Sequence, residues 1–440
     1  MLIHYRPSGS SASEVVADVE TAVRDGRLQP GAALPAVRTL AADLGLSPAT
    51  IAAAYRELRV KGIARGHRRA GTHITGAPPT APRPPLVVPA GVRDLLAGSP
   101  DPALLPQVQA FPAARSAPVS PRLYGGPALS PALALQAAAR FRADGIDPSH
   151  LAVVGGALDG VERVVSAWLR PGDRVAVEDP GYPPLLDLLS AMDISVVPVG
   201  LDDYGVRPDS LVQVLASGCR AIVLVPRAQS PTGAAWNEAR ARDLAALLAG
   251  YPDVLVVEDD HAADVAGTPA RSVTAGRNRW VTIRSASKSL SPDLRLAVLA
   301  GDAVTIARVE GRQALGTGWV SYLLQETVAA MWQDPAVDAL LARATAAYTS
   351  RREILIGELA ARGLAASGQS GLAVWVPVAD ELSVTSALLD CGWAVAPGER
   401  FRIASPPAIR IGIGTITPAE SARLAADLSE CLARRPRRTD

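Results

Sequence analysis

The chain has 440 residues, 48% of them hydrophobic, and 44 Lys plus Arg against 43 Asp plus Glu, for a formal net charge of +1. That length accommodates two or three domains with substantial cores. No run approaches the ~18 apolar residues that a membrane crossing needs, and the start, MLIHYRPSGS, has no apolar secretion core, so a cytoplasmic protein without membrane partners is expected. Cys219, Cys391 and Cys431 are odd in number and widely spaced, which argues against a disulfide framework and against a metal site.

Across residues 13–24, Val15, Val16, Val19, Ala22 and Val23 fall at helical spacing, and Gly26 closes the run. LPAVRTLAADLGL (34–46) starts around a proline and stops at Gly45. SPATIAAAYRELRVKG (47–62) restarts with Ser47 as N-cap and Pro48 at the first helical position. Helices joined this tightly predict a helix-turn-helix. Its second helix presents Ser47, Thr50, Tyr55, Arg56 and Arg59, with Ala52, Ala53, Ala54 and Leu58 behind. IARGHRRAGTHI (63–74) reads as a hairpin carrying Arg65, His67, Arg68 and Arg69, a basic wing suited to phosphate.

Leu34, Pro35, Arg38, Leu40, Ala41, Leu44, Ser47, Thr50, Ala54, Tyr55, Leu58, Gly62, Gly71 and Thr72 together resemble the winged helix of GntR regulators. The resemblance implies a domain over residues 1–75 that binds double-stranded DNA. Its contacts would come from Arg38, from Ser47, Thr50 and Tyr55, and from Arg65, Arg68, Arg69, Gly71 and Thr72 in the wing. The residues alone also allow a basic helical module for protein contacts. Residues 76–107, with APPTAPRPPLVVPAG and AGSPDPALLPQ, are rich in proline and poor in pattern, and read as an extended, partly stiff linker.

Beyond it, short β-branched runs alternate with helical stretches: LAVV from Leu151, DRVAVE from Asp173, ISVVPV from Ile194, AIVLV from Ala221, DVLVVE from Asp253, WVTIR from Trp280 and LAVLA from Leu296. The alternation predicts an α/β domain over 108–305 with a mainly parallel, seven-stranded sheet. Ligands gather beyond the carboxyl ends of such strands. Gly155, Gly156 and Ala157 follow the first run, DPGYP (179–183) the second, RAQSPTG (227–233) the fourth, EDDHAAD (258–264) the fifth and SASK (285–288) the sixth. Residues 306–440 read as an interdomain helix and a smaller α+β domain with strands in GLAVWVPV, WAVAP and AIRIGIG.

Lys288 stands out because the chain has only one other lysine, Lys61; nearly every cation is arginine. What lysine offers and arginine does not is an amine that loses its proton and condenses with an aldehyde. Ser285, Ser287 and Arg295 surround it with donors of the kind that hold a phosphate dianion. A phosphorylated aldehyde cofactor fits that set, although a chance survivor in an arginine-biased sequence is the other reading.

Taken together, these segments resemble the fold type I aminotransferases, which use pyridoxal 5'-phosphate, from roughly Tyr124 to the C-terminus. The resemblance implies that Lys288 carries the cofactor and that Ser285, Ser287, Arg295 and the backbone of Gly156 and Ala157 hold its phosphate. By the same resemblance Tyr182 stacks on the ring and Asp259 pairs with the ring nitrogen. Tyr124 matches a tyrosine that reaches the neighbouring subunit's phosphate, and Arg410 an arginine that grips an α-carboxylate. Core packing for Tyr124 and a solvent-facing strand position for Arg410 remain open. Around the cofactor's phenolic oxygen the sequence departs from the pattern, with Gln229 the nearest candidate for the usual asparagine and His261 in place of a tyrosine.

A GntR head on an aminotransferase-like body is the architecture of MocR-type regulators, to which the chain from about Ser11 onward is similar. EDDHAAD, SKSLSPDLRLAVLAGD and EGRQALGTGWVS look closest to members that respond to vitamin B6 status. The expectation is a homodimeric transcription regulator that binds pyridoxal phosphate and senses the cofactor, or an amino acid or B6 vitamer effector, with little or no transaminase turnover. The alternative is an active aminotransferase that carries a DNA-binding domain.

Overall fold

The computed structural model describes residues 5–29, 31–60, 63–67, 71–74, 86–108 and 123–433. These divide into two compact units, one of Met1–Pro85, the head, with Leu186–Asp193, and a body comprising Leu86–Leu185 and Ile194–Asp440. No helix among the described residues is long and apolar enough to cross a membrane.

In the head, α1 (Ala12–Arg24) is capped by the Ser11 hydroxyl, which accepts from the Glu14 N–H, and buries Val15, Val16, Val19 and Ala22. The next helix, α2 (Val37–Leu44), begins three residues later than the sequence pattern predicts. Leu34 is held instead by a strand-like bond from its N–H to Thr72 O (2.8 Å), and the Pro35 ring favours extended backbone before it. Gly45, at φ 66°, closes α2 in the left-handed region. Helix α3 (Pro48–Val60) starts at Ser47, whose Oγ accepts from the Thr50 N–H (3.1 Å). Strands β1 (Ala64–His67) and β2 (Gly71–Ile74) form an antiparallel hairpin.

Tyr55 corrects one expectation. It is 1% exposed, and its hydroxyl donates to Pro35 O (2.8 Å), so its ring belongs to the head's core. Positions 51, 55 and 58 repeat at i, i+4 and i+7 and put Ile51, Tyr55 and Leu58 on the same buried stripe, whereas Arg56 and Arg59 are exposed.

The body is organised by an eight-stranded sheet in the order β4 (Leu151–Val154), β11 (Ala297–Gly301), β10 (Trp280–Ser285), β9 (Leu255–Asp260), β8 (Ala221–Leu224), β5 (Arg174–Asp179), β6 (Ser195–Asp202), β7 (Gly205–Val206). All seven predicted runs lie in it. The eighth strand, β7, is a two-residue antiparallel partner of β6, too short to leave a pattern. Strand β11 runs antiparallel to both β10 and β4, and the other internal pairings are parallel. The carboxyl ends of β4, β10, β9, β8 and β5 therefore open on one edge. Helices α4 (Pro131–Ala143), α5 (Ala157–Trp168), α6 (Pro183–Ala191), α7 (Pro208–Ala216) and α8 (Glu238–Ala249) fill the connections.

Three helices come next along the chain: α9 (Ala303–Ala314), α10 (Tyr322–Gln333) and the long α11 (Pro335–Ala360), which buries Leu341, Tyr348 and Leu355. The smaller sheet pairs β12 (Ala373–Pro377) and β14 (Ala396–Pro397) with β15 (Ala408–Gly412), backed by α12 (Glu381–Asp390) and α13 (Pro418–Ala433). The stretch 93–104 differs from its reading as linker. Strand β3 (Arg93–Asp94) pairs in parallel with β13 (Trp393–Ala394), Leu95 is 2% exposed, and Arg93 reaches Glu420 (2.8 Å). Small and proline residues gave this segment the composition of a linker, but its hydrogen-bond partners lie some three hundred positions away.

Candidate functional site

Two sets of side chains answer to the sequence reading, one in each unit. In the head, Arg38 is exposed on α2, Ser47 is exposed and Thr50 half-buried at the start of α3, and their hydroxyls lie 2.8 Å apart. Gly71, at φ 82°, opens β2, and Thr72 comes directly after it. Arg68, Arg69 and the side chain of Arg65 lie outside the described residues.

The body's sheet edge gathers the second set. Lys288 lies three residues beyond β10, and its Nζ donates to Gly98 O (2.6 Å). Burial and the Arg410 charge depress its pKa to about 8, which leaves a substantial neutral amine near physiological pH. Asp259, the penultimate residue of β9, is paired in register with Ile283 of β10. Its Oδ1 is buried without a hydrogen-bond partner among the described residues, and its Oδ2 lies 3.8 Å from Nδ1 of His261. Desolvation raises its pKa. A buried carboxylate short of a donor is what a protonated ring nitrogen would satisfy.

Gly156, the N-cap of α5, stands at φ 110°, and a Cβ there would lie 3.0 Å from Nη2 of Arg295. Arg295 itself has φ 42° and precedes β11, so its guanidinium faces the N-terminus of α5. The Asp159 carboxylate occupies the Gly155 N–H (2.7 Å), while the N–H groups of Gly156 and Ala157 make no hydrogen bond among the described residues. Ser285 is 6% exposed and its Oγ accepts from the Ser287 N–H (3.2 Å). A helix N-terminus, a guanidinium and two hydroxyls make a phosphate cradle, and the set fits the phosphorylated aldehyde that Lys288 suggested.

Tyr182 lies just beyond β5, and burial and the Asp259 charge raise its pKa, with Arg410 and Arg295 opposing. Arg410 is 8% exposed in the middle of β15, its guanidinium 5.5 Å over the Phe401 ring, and its Nη1 donates to Leu96 O (3.0 Å). Burial pushes its pKa down to about 10. Lys288, Asp259, Tyr182, Arg295, Gly156 and Arg410 are thus brought together.

Two candidates stand apart. The Gln229 carboxamide donates to Pro180 O (2.8 Å) and accepts from Thr232 N–H (3.0 Å) and Oγ1 (2.6 Å), so it braces two loops; the residue directly before Pro231 is Ser230. Tyr124 is 92% exposed, edge-on to Trp319 at 5.7 Å.

Gly98 left no signal in the sequence, and Asp179, inside DPGYP, had no role assigned to it. A Cβ on Gly98 would fall 2.0 Å from Nη2 of Arg410, so only glycine admits the guanidinium there. Asp179 ends β5 and accepts from the N–H groups of Ile403, Ala404 and Ser405 (2.8 Å each) and from Ser405 Oγ (3.0 Å), pinning that loop beside Tyr182. Its signal was an acidic residue at a strand's carboxyl end, just ahead of the aromatic candidate.

Residues 94–428 match aminotransferase class I and II, and residues 11–74 match bacterial regulatory proteins of the gntR family. The chain is 37% identical over 435 residues to the vitamin B6 salvage pathway transcriptional repressor PtsJ of Salmonella typhimurium, covering 97% of this chain and 99% of that protein. It is 31% identical to the HTH-type transcriptional regulator TauR of Rhodobacter capsulatus, with 80% of each chain covered. Among solved structures, the α-aminoadipate aminotransferase LysN of Thermus thermophilus, complexed with N-(5'-phosphopyridoxyl)-L-leucine, superposes with a TM-score of 0.68 at 21% identity, over 78% of this chain and 92% of that one.

Proposed function

The chain belongs to the aminotransferase class I and II family and carries a gntR-family head, which makes it a pyridoxal phosphate-binding, DNA-binding transcription regulator, and from that premise we propose how its residues divide the work. Lys288 is the cofactor's attachment point. Gly156, Ala157, Ser285, Ser287 and Arg295 hold the phosphate, Tyr182 covers the ring, and Asp259 accepts a hydrogen bond from the protonated ring nitrogen, with His261 beside it. Arg410 receives the carboxylate of an amino-acid effector; a B6 vitamer, which has none, would bind through the cofactor's own contacts. The Salmonella relative's name supports vitamin B6 metabolism as the regulated process. Arg38, Ser47, Thr50, Gly71, Thr72 and the wing arginines form the DNA face, and the protein acts in the cytoplasm.

When bound, the cofactor supplies an aldehyde that joins to amines and a ring that draws electrons from an attached carbon. The chain's own residues direct that chemistry. Lys288, with its lowered pKa, offers a neutral amine as nucleophile and later as a base. The buried Asp259 carboxylate favours a protonated nitrogen opposite it. The committed carboxamide of Gln229 supports sensing over turnover, because neither of its ends is turned over to a ligand. That observation carries the reading.

The test combines a mass measurement with a turnover measurement on the full-length protein. Borohydride reduction after adding pyridoxal phosphate is expected to fix one adduct on Lys288, while amino-group transfer between common amino acids and keto acids stays slow or undetectable. Fast steady-state transfer would favour the enzyme reading, and an adduct on Lys61 would remove Lys288 from its role.

A further inference from the structure

Residues 93–101 cross the ligand site as an extended segment with firm ends and a middle that makes few hydrogen bonds. At one end Arg93 is bound to Glu420 and Thr415 O, and Leu95 exchanges hydrogen bonds with Ala394 and Gly412. At the other, the Asp101 N–H donates to Tyr348 Oη (3.0 Å) and its carboxylate pairs with Arg351 (2.9 Å). Between them, residues 96–100 make two long-range hydrogen bonds among the described residues: Arg410 Nη1 to Leu96 O (3.0 Å) and Lys288 Nζ to Gly98 O (2.6 Å). Both donors are the cations that the ligand site itself depends on.

We propose that residues 96–98 form a latch, through which occupancy of the Lys288 and Arg410 site is passed to the linker leading to the DNA-binding head. The inference rests on the cofactor-sensing reading above and assigns its transmitting element. An amine that condenses with an aldehyde gives up two N–H hydrogens, which leave with the carbonyl oxygen as water, so Lys288 would retain at most one N–H to share. A carboxylate at Arg410 competes with the Leu96 carbonyl and is favoured, because it brings a full negative charge and two oxygens that match the guanidinium in a bidentate pair. Each event weakens one of the two ties. Gly98 is the positioning residue, since any side chain there would displace Arg410. The latch reaches the linker through β3, whose anchored residues lead back to residue 86, at the body's end of the linker.

The experiment uses full-length protein and a DNA fragment selected by it from a random-sequence library. Lys288→Ala removes the donor to Gly98 O. Without cofactor its DNA affinity is expected to move to the value of the pyridoxal phosphate-loaded wild type, a change of about 5- to 150-fold for an ordinary allosteric coupling. Lys288→Arg, which restores a donor but not attachment, is expected to rescue the unloaded affinity. In parallel, hydrogen exchange of the 93–101 peptide is expected to be faster in Lys288→Ala than in Lys288→Arg, a readout that stands even if one variant loses DNA binding. Equal exchange, or a Lys288→Ala affinity that stays at the unloaded wild-type value, overturns the latch. If wild type itself ignores pyridoxal phosphate, the sensing reading falls and takes the latch with it.

Discussion

Lys288 combines two properties that its neighbours create: a pKa near 8, from burial beside Arg410, and a fixed direction, from its hydrogen bond to Gly98 O. Attachment of pyridoxal phosphate requires the neutral amine. The attachment rate should therefore rise with pH and level off above about 8, where an ordinary lysine would keep it climbing past pH 10. Absorbance-monitored attachment across pH 6 to 11 checks this, and a plateau only above pH 10 would remove the shift. Asp259→Ala deletes a buried, underbonded carboxylate. It should weaken cofactor binding by about 1.5–3 kcal/mol, the range for a hydrogen bond to a charged group; an unchanged dissociation constant would separate Asp259 from the cofactor. At this scale the sequence singled out Lys288, Asp259 and Arg295 by residue type, and the structure brings them to one edge of the sheet. The sequence was misleading at Gln229, because adjacency along the chain does not reveal which way a carboxamide turns. Gly98 was illegible, since its requirement comes from Arg410, more than three hundred positions away.

Helices and loops set where those residues arrive. Helix α5 begins at a glycine whose backbone and missing Cβ keep Arg295 close to its N-terminus. Gly156→Ala should lower cofactor affinity on two grounds, the φ of 110° and the 3.0 Å approach to Nη2 of Arg295. Cofactor titration by fluorescence measures it, and undiminished affinity would place the phosphate elsewhere. In the head, the buried stripe of α3 separates fold from contact. Tyr55→Phe removes the bond to Pro35 O and should cost about 1 kcal/mol of stability with little change in sequence preference. Arg38→Ala should weaken binding to all sequences and reduce the salt slope by about one unit, whereas Thr50→Ala should alter preference. Thermal melts and salt-dependent binding distinguish these outcomes. Helical periodicity announced all three head helices, and seven β-branched runs announced seven strands. The start of α2 and the pairing of β3 eluded it because both are settled by partners distant in sequence.

The chain carries a small DNA-binding unit and a pyridoxal phosphate-binding body, and both were legible because each has a dense set of residues demanded by its chemistry. Assembly was less so. Leu123, Tyr124, Leu315, Trp319 and Leu323 expose apolar surface on the body, and we propose that a second copy covers them in a homodimer. Sedimentation is expected to give a dimer at micromolar concentration, and Trp319→Asp to shift it toward monomer; a wild-type monomer with cofactor bound would contradict the assignment. Whether cofactor occupancy of the body changes how the head binds DNA is answered by one titration. Full-length protein freed of cofactor is bound to its selected DNA fragment while pyridoxal phosphate is added, and the DNA dissociation constant is tracked. A saturable shift of about 5- to 150-fold is expected, the usual scale of coupling between two sites. An identical dissociation constant with the body empty and with Lys288 fully loaded would contradict that coupling.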